Sequence, residues 1–437
     1  MNSCKAKTKL LADWLEHRNG RYITIRLLSL LKRYGVFSAR AKRRVEACVR
    51  LLARHGCYPT FPTPGRVVGR YPHFFRELQQ MGAELAIHGY DHVDFRSLSP
   101  SEATKQFLKA AEAWQRCGIK FEGFRCPYLS YAETTAAAIP TGMFKYSSNK
   151  AIWWNVVSPE SIARASAIFD HLHRFYQPES SEAMVAIPRM SGDLLEIPLS
   201  VPDDLQLYDG LKLGEEGIRH AWTEILRRTH RRGELFVIVF HPESFEHCAQ
   251  AFESVLRKAR LLWPAVWVAR LRDVSRWWWE KSRFAVNISS DTSGLQIRFD
   301  CSERATVLVR NIRTSEPTRP WDGSYQVLGS RSLHVPADQH PFVGVAADTP
   351  SHTIAFLKEQ GYIVDSSEHA PQCGVYLDVA TMAKLETQVQ LIDYIESRPA
   401  PLARYWRWPD EARSALCITG DLDALSLIDY ASRLFAG

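Results

Sequence analysis

Two carboxylates stand near the C-terminus, directly after a short apolar run that has the length of a buried strand. The run is Ala415–Ile418, and Asp421 and Asp423 follow it after Thr419 and Gly420. Carboxylates at the C-terminal end of a buried parallel strand are where α/β barrels keep their catalytic groups. One carboxylate could hold a metal ion while the other accepts a proton. A solvated turn rich in Asp is the alternative for this stretch taken alone.

Two histidines follow a second apolar run in the same way. Ala83–Ile87 has the composition of a strand, and His88 and His92 come after it, four residues apart. One turn of helix or a tight loop would point both imidazoles in the same direction. Two imidazoles and one carboxylate make a compact metal site that leaves positions open for water and substrate. A pair of surface or hydrogen-bonding histidines is the alternative.

Two further apolar runs are followed by groups that can orient a carboxylate or transfer a proton. Arg125 and Pro127 follow the run Phe121–Phe124, so a guanidinium could orient a carboxylate there and the rigid proline could direct the next backbone N–H. The fully apolar run Leu235–Phe240 is followed by His241. An ordinary β-turn and a hydrogen-bonded core histidine are the alternatives. The Asp pair, the two strand ends that carry His and the Arg turn together favour a functional site.

The elements around these groups alternate between strand and helix. Apolar runs and amphipathic stretches take turns from Ala39 to Lys281, which predicts a parallel sheet, open or closed into a barrel. From Arg283 the pattern changes to short β-type runs separated by Gly, Asp, Ser and Pro, as in a small antiparallel sandwich. A short α/β pattern begins at His352, and the linker Arg398–Pro401 leads toward the terminal strand. The predicted fold class is therefore α/β.

Taken together, the motifs resemble those of the polysaccharide deacetylase family, also called NodB-homology or carbohydrate esterase family 4. The stretches that carry the resemblance are Thr419–Asp423, His88–His92, Arg125–Tyr128 and the strand that ends at His241. The resemblance implies a distorted (β/α) barrel and a divalent metal, usually zinc. It also implies hydrolysis of acetyl groups on sugars.

The resemblance gives the Asp pair and the His pair separate roles. It implies Asp421 as the general base and Asp423 as a metal ligand. It implies His88 and His92 as the other two metal ligands.

The remaining motifs receive supporting and acid roles from the same resemblance. Arg125 would orient the general base, the backbone N–H of Tyr128 would help to bind the oxyanion, and His241 would act as the general acid. The family also has an acidic residue that supports the catalytic histidine. The sequence leaves three candidates for this acid: Glu196, Asp203 and Asp204.

The order of the motifs departs from the family pattern, because the Asp pair stands last. The resemblance covers roughly 39–283 together with 414–437. We therefore expect a circularly permuted barrel, with Ala415–Ile418 lying parallel between the strands near Tyr58–Phe61 and Val266–Ala269. The alternative is that 414–437 is the remnant of a second, lost catalytic domain. Permutation is favoured because the N-terminal part has no Asp pair of its own before Ala39.

The predicted domain organisation has four parts. Residues 1–282 form a deacetylase barrel that lacks its first strand and begins with a basic helical extension at 1–38. A small antiparallel β domain, or β-sandwich, occupies 283–349, and a small α/β region with a linker occupies 350–411. Residues 412–437 supply the first barrel strand with its Asp pair.

Composition and cysteine usage are those of a soluble cytoplasmic protein. The chain has 437 residues, of which 46% are hydrophobic and 24% charged, a globular balance. Nine cysteines without a CxxC pair favour reduced thiols. The N-terminus lacks a continuous apolar signal-peptide core, and no apolar run is long enough to cross a membrane. We therefore expect a cytoplasmic location.

The positive charge is concentrated near the N-terminus and bears on the partners. The net charge is +7, and Lys5 to Arg54 contains 14 Lys and Arg against 3 Asp and Glu. Such a segment could make a weak contact with an anionic membrane surface, although a solvated helix packed by its Leu face is the simpler interpretation. The expected partner is an acetylated carbohydrate substrate, with no nucleic acid. The oligomeric state is not determined by the sequence.

Three other functions compete with a metal-dependent deacetylase. A metal-free hydrolase of amide C–N bonds could use the same barrel, and a non-catalytic carbohydrate-binding protein could retain a decayed site. A non-haem iron oxygenase also uses two His and one carboxylate. That last function does not explain the turn Arg125–Tyr128 or the second Asp. Metal content separates the first two alternatives from a metal-dependent enzyme.

Overall fold

The computed structural model describes residues 37–432. Apart from residues 37 and 38, the basic extension expected at 1–38 lies outside the described residues, and so does its expected contact with a membrane surface. Among the described helices, none combines the length and the apolar character that crossing a bilayer requires.

Helices and short strands alternate over most of the chain. The helices are α1 Ala39–Ala53, α2 Gly65–Arg70, α3 Pro72–Gln80, α4 Pro100–Arg116, α5 Glu133–Ala137, α6 Pro159–Ala163, α7 Ala167–Tyr176, α8 Glu215–Arg232, α9 Phe245–Leu261, α10 Leu271–Lys281, α11 Ser351–Glu359, α12 Val379–Met382, α13 Gln388–Ser397 and α14 Leu427–Ser432. The strands up to α10 are β1 Thr60–Thr63, β2 Glu84–Ile87, β3 Gly123–Phe124, β4 Tyr146–Ser147, β5 Ala151–Trp153, β6 Glu179–Ser180, β7 Arg189–Ser191, β8 Leu194–Glu196, β9 Leu199–Val201, β10 Leu235–Phe240 and β11 Val266–Val268. The later strands are β12 Ala285–Asp291, β13 Gly294–Asp300, β14 Val307–Arg310, β15 Thr318–Asp322, β16 Tyr325–Leu328, β17 Ser332–Pro336, β18 Val343–Val345, β19 Val364–Asp365, β20 Val375–Leu377, β21 Leu402–Tyr405 and β22 Ser414–Gly420.

A curled twelve-stranded sheet forms the centre of the molecule. Its strands lie in the order β6-β5-β9-β10-β22-β1-β2-β3-β4-β8-β7, and β11 also pairs with β22. All these pairings are parallel except the one between β7 and β8. The helices between successive strands are the crossovers that parallel pairing requires. The predicted α/β class is confirmed.

One short stretch of chain connects the two branches of the sheet. Strand β8 belongs to the branch with β4, and β9 belongs to the branch with β10. Only Ile197 and Pro198 separate these two strands. Proline has no N–H for a sheet ladder, which is consistent with a break at this point.

Strand β22 is inserted into the middle of the sheet. It pairs with β10 over six residues, from Ala415 opposite Leu235 to Gly420 opposite Phe240. On its other edge it pairs with β11 at Ser414 to Leu416 and with β1 at Thr419. The expected neighbours β1 and β11 are therefore present. They share one edge instead of flanking the strand, because β10 occupies the opposite edge.

The alternation of side chains along β10 and β22 divides the core into two clusters. Phe236, Ile238 and Phe240 of β10 join the cluster that packs under α1, α3, α4, α8 and α9. The intervening residues of the same strand, such as Val237, face the opposite way and join a second cluster, which includes Trp408. Successive side chains of a strand point to opposite faces, so the sheet packs on both sides. A strand buried on both faces is uniformly apolar, which explains the composition of β10.

The segment after β22 docks onto the N-terminal helices. Asp429 of α14 is buried and pairs with Arg70 at the end of α2. The same carboxylate accepts hydrogen bonds from Ser426 Oγ at 2.9 Å and Leu425 N at 3.1 Å. These contacts hold α14 against α2.

The middle region, residues 283–411, contains three small sheets. Two are antiparallel, with the orders β12-β13-β17 and β15-β16-β14-β21, and one is parallel, with the order β19-β18-β20. The two antiparallel sheets contribute to a common apolar cluster. Strand pairing crosses the expected boundary at 349/350, because β21 pairs with β14 and β18 pairs with β19 and β20.

We predict that removal of 414–437 destabilises the protein. The deletion exposes the paired edge of β10 and the apolar residues that β22 covers, so the chain should aggregate or unfold at a lower temperature. Thermal unfolding of the deletion variant measures the effect. Ile428→Ser is a matched control in the same segment, because this side chain is 60% exposed and should tolerate the change. Unchanged melting of the deletion variant would show that the N-terminal sheet is complete without β22.

Candidate active site

Two histidines and one aspartate from opposite ends of the chain meet at the carboxyl ends of β2 and β22. Nε2 of His88 lies 3.4 Å from Oδ1 of Asp423, and Nε2 of His92 lies 3.2 Å from Oδ2 of the same carboxylate. All three side chains are buried, and one potential ligand atom from each lies within 4.8 Å of the others. The sequence predicted this convergence, and the structure brings the three groups together.

The imidazole of His88 is oriented for metal binding. Its Nδ1 lies 2.8 Å from the carbonyl oxygen of Arg125, which fixes Nδ1–H as the donor and leaves Nε2 as the basic nitrogen. This Nε2 is buried and makes no hydrogen bond with any residue in the described part of the chain. A buried polar atom without a hydrogen bond is costly unless a ligand satisfies it. Two imidazoles and one carboxylate are the donor set of a divalent metal with open positions, so the residues fit such an ion.

The second aspartate of the motif is held by a buried arginine. Nη1 of Arg125 donates to Oδ1 of Asp421 at 2.7 Å and to Oγ1 of Thr419 at 3.1 Å. The rest of the guanidinium donates to Ser148, from Nε to the carbonyl oxygen at 3.0 Å and from Nη2 to Oγ at 3.1 Å. These bonds fix the position of the carboxylate, because the guanidinium itself is fully buried and cannot turn.

The third group of the site is a histidine paired with an aspartate. Nδ1 of His241 lies 2.9 Å from Oδ1 of Asp204, and the backbone N–H of His241 donates to Oδ2 at 3.0 Å. Burial alone would lower the pKa of His241, but the charge and hydrogen bond of Asp204 outweigh it and raise this pKa to about 10. The imidazole therefore holds its proton through the neutral range.

The sequence left three candidates for the acid that supports His241, and the structure distinguishes them. Glu196 lies elsewhere and accepts hydrogen bonds from the backbone N–H groups of Asn149 and Lys150, at 2.6 and 2.7 Å. Oδ2 of Asp203 accepts from the hydroxyl of Tyr176 at 2.7 Å. Asp204 is thus the carboxylate that contacts His241. Its position just after β9 was a signal for it, but Asp203 shares that position.

Tyr128 lies beside the cluster of candidate metal ligands formed by His88, His92 and Asp423. Its ring contacts the ring of His92, with 4.5 Å between centroids, and the side chain is 43% exposed. Tyr128 and Leu129 have φ angles of 60° and 55°, two consecutive residues in the left-handed region. Such a conformation is costly for residues with side chains and is concentrated at functional sites. The ring of Phe175 also contacts the ring of Tyr128 edge to face, with 5.3 Å between centroids, a contact that the sequence did not indicate.

The comparison with protein families agrees with these motifs. Residues 26–143 match the family model described as polysaccharide deacetylase. For this part of the chain, the match confirms the family that the motifs indicated. The expected enzyme class, a hydrolase of carbon–nitrogen or ester bonds in acetylated carbohydrates, is confirmed at the level of this family. The matched stretch contains His88 and His92 but not Asp423.

Several solved structures resemble this chain at low identity. A protein from Mycobacterium smegmatis described as a polysaccharide deacetylase is 20% identical, with 55% of this chain and 77% of that chain covered and a TM-score of 0.43. The Puue allantoinase is 15% identical, with 54% and 72% covered and a TM-score of 0.41. A CE4 family pseudoenzyme from Bacillus anthracis is 13% identical, with 55% and 62% covered and a TM-score of 0.31. No curated protein matches the sequence.

We predict that Asp204→Asn destabilises the protein in a pH-dependent way. The pKa of His241 is about 10 in the folded chain, against an ordinary value of 6.5. Its charge therefore contributes stability that is fully present below about pH 6.5 and is lost as the pH rises through about 10. Loss of one partner of a buried pair should cost about 3–5 kcal/mol at pH 6 and less at pH 10.

Urea unfolding of the parent and of Asp204→Asn at both pH values measures this difference. EDTA is present so that only the charges of the chain act. Asp193→Asn, at an exposed position, is the control and should change neither value. Equal losses at pH 6 and pH 10 would contradict the prediction.

Proposed function

We propose that this protein is a metal-dependent hydrolase that removes acetyl groups from a carbohydrate. The observation that carries the proposal is the meeting of His88, His92 and Asp423 next to the pair formed by Arg125 and Asp421. These groups lie at the carboxyl ends of parallel strands, where catalytic groups of α/β folds are found.

His88, His92 and Asp423 would hold the metal, and zinc is the ion that such a donor set favours. When bound, the ion would supply Lewis-acid polarisation of the acetyl carbonyl and a lowered pKa for a water molecule. The hydrogen bond from His88 to the carbonyl oxygen of Arg125 keeps Nε2 directed at the site.

Asp421 acts as the general base in this proposal. Its carboxylate is held by Arg125 and stands two residues from Asp423, so it can accept a proton from a water molecule beside the cluster. The separation of roles follows from the contacts: Asp423 faces the imidazoles, and Asp421 faces the guanidinium. The backbone N–H of Tyr128 is the proposed donor to the oxyanion of the tetrahedral intermediate.

His241 acts as the general acid. The imidazolium that Asp204 stabilises can donate its Nε2 proton to the departing amine or alcohol oxygen. Asp204 is a positioning residue, since it touches the imidazole and not the substrate. The contacts do not separate N-acetyl from O-acetyl substrates.

We also propose that the barrel is circularly permuted and that β22 is its first strand. The central position of β22, between β10 and the edge formed by β1 and β11, supports this reading. The two antiparallel sheets of the middle region, which share one apolar cluster, support the proposal of a small β-sandwich inserted before that strand. A protein with a decayed site is disfavoured, because His88, His92 and Asp423 lie together and Arg125 and His241 each contact a carboxylate.

We predict one divalent metal ion per chain. The double variant His88→Ala, His92→Ala removes two of three ligands and should lose the ion, which metal analysis of the purified proteins measures. His369→Ala is the matched control, because this side chain is exposed and far from the cluster in sequence. Equal metal content in the parent and the double variant would exclude the proposed site. A parent without metal that releases acetate would instead favour the metal-free hydrolase.

We predict that Asp421→Asn retains the metal and loses at least about a hundredfold in acetate release, because a general base contributes roughly 10²–10⁴-fold. The measurement is acetate release from a panel of N- and O-acetylated oligosaccharides. Asp429→Asn is the control, since it also removes a buried carboxylate paired with an arginine, but outside the site. Acetate release by Asp421→Asn at the rate of the parent would refute the assignment of Asp421 as the general base.

A further inference from the structure

A second cavity lies at the end of β10 that is opposite to His241. It has a volume of about 380 Å³ and is lined by the end of α8, the turn between β15 and β16, α13 and β21. Six strand residues rise by roughly 3.3 Å each, so the two ends of β10 lie about 20 Å apart. This cavity is therefore separate from the candidate active site. It lies between α8 and the middle region, and we call it the interface cavity.

The interface cavity has a net positive charge. Six arginines line it, against four carboxylates. The arginines are Arg231, Arg232, Arg310, Arg404, Arg407 and Arg413, and the carboxylates are Glu234, Asp322, Asp393 and Glu396. The wall thus carries an excess of two positive charges before any ligand enters.

Most of the carboxylates are already used in ion pairs. The pairs are Arg232 with Glu234, Arg413 with Asp322, and both Arg310 and Arg404 with Glu396. Burial, partly offset by the charges of Arg232 and Arg407, raises the pKa of Glu234 to about 7, so its negative charge is incomplete at neutral pH.

Arg407 is a buried cation of this wall that has no carboxylate within ion-pair distance among the described residues. It is 2% exposed, and its Nη1 donates to the carbonyl oxygens of Arg232 and Gly233 at 2.9 and 3.1 Å. Its Nε makes no hydrogen bond, and its guanidinium forms no ion pair, with any residue between 37 and 432. The carboxylates of Glu234 and Glu396 act on Arg407 from beyond ion-pair distance, and a buried charge without a close counter-ion is costly. Burial and then the charge of Arg404 lower the pKa of Arg407 to about 10, although the charges of Glu234 and Glu396 act in the opposite direction.

The neighbouring lysine experiences the same positive field. Burial and then the charge of Arg404 lower the pKa of Lys281 to about 7, and Arg407 contributes in the same direction. Two buried cations at this junction are thus held in an environment that disfavours their charge.

We propose that the interface cavity binds a small molecule through a phosphate or carboxylate group that pairs with Arg407. The planar guanidinium matches both oxyanions, and each would supply the negative charge that the wall lacks. The volume lies in the range of small-molecule sites. Trp321, Trp406 and Tyr325 line the same cavity and would contact the rest of the molecule. The alternative is that Arg407 only ties the middle region to the carbonyl oxygens at the end of α8.

Calorimetric titration of the full chain with inorganic phosphate and, separately, with glucuronate tests the proposal. We expect binding of at least one probe, which identifies the preferred oxyanion, and a loss of about tenfold or more in Arg407→Gln. The metal centre could also bind these probes, so His88→Ala, His92→Ala is titrated in parallel. This double variant should bind as the parent does. Loss of binding in the double variant but not in Arg407→Gln would overturn the proposal. The proposal would also be overturned if the parent bound neither probe at concentrations up to 20 mM, roughly the weakest dissociation constant of interest.

A second variant keeps the test decisive if Arg407→Gln does not fold. Ser324 is exposed in the turn at the rim of the cavity, so Ser324→Glu adds a negative charge without touching the buried arginines. We expect weaker binding of the probe by about tenfold, while Ser289→Glu, at an exposed position outside the cavity, binds as the parent does. If Ser324→Glu bound the probe as tightly as the parent does, the proposal would be overturned. Arg407 would then only connect the middle region to the carbonyl oxygens at the end of α8.

Discussion

Strand β22 lies between β10 on one edge and β1 and β11 on the other, and the candidate site depends on that position. The strand ends at Gly420, so the next residues carry Asp421 and Asp423 onto the carboxyl edge of the sheet. Backbone hydrogen bonds from Asp421 N to Phe240 O and from Leu422 N to Pro62 O fix this segment to both neighbours. The site is therefore assembled by sheet pairing between residues that are far apart in the chain.

The charges of the site are buried, and this explains why each has so many partners. Removing an ion pair from water costs several kcal/mol per ion, and only good geometry with further hydrogen bonds offsets that cost. Arg125 donates to Asp421, Thr419 and Ser148, so its charge and its donors are used. Arg407 is buried to a similar degree and lacks a carboxylate partner. This contrast between the two arginines is the basis on which we propose that the interface cavity binds an anion.

Local sequence patterns predicted much of the arrangement. The strand Leu235–Phe240 is observed with the predicted bounds, because it is uniformly apolar and ends at a charged group on each side. The cluster of His88, His92 and Asp423 was predictable because the carboxyl ends of parallel strands share one edge of a sheet. The choice of Asp204 over Asp203 was not predictable, because adjacent carboxylates differ only in the direction that the backbone gives them. The catalytic roles and the domain boundaries stay predictions.

The sequence by itself determined which residues can do chemistry, because strand ends, turns and apolar runs are local features of a few residues. It also determined the α/β class, since the alternation of strand and helix is written along the chain. Only the tertiary structure decided that β10 is the long neighbour of β22, that β21 pairs with β14 across the expected boundary, and that six arginines surround one cavity. Those facts depend on contacts between residues far apart in the chain. Their energies come from packing and burial, which no short stretch of sequence contains.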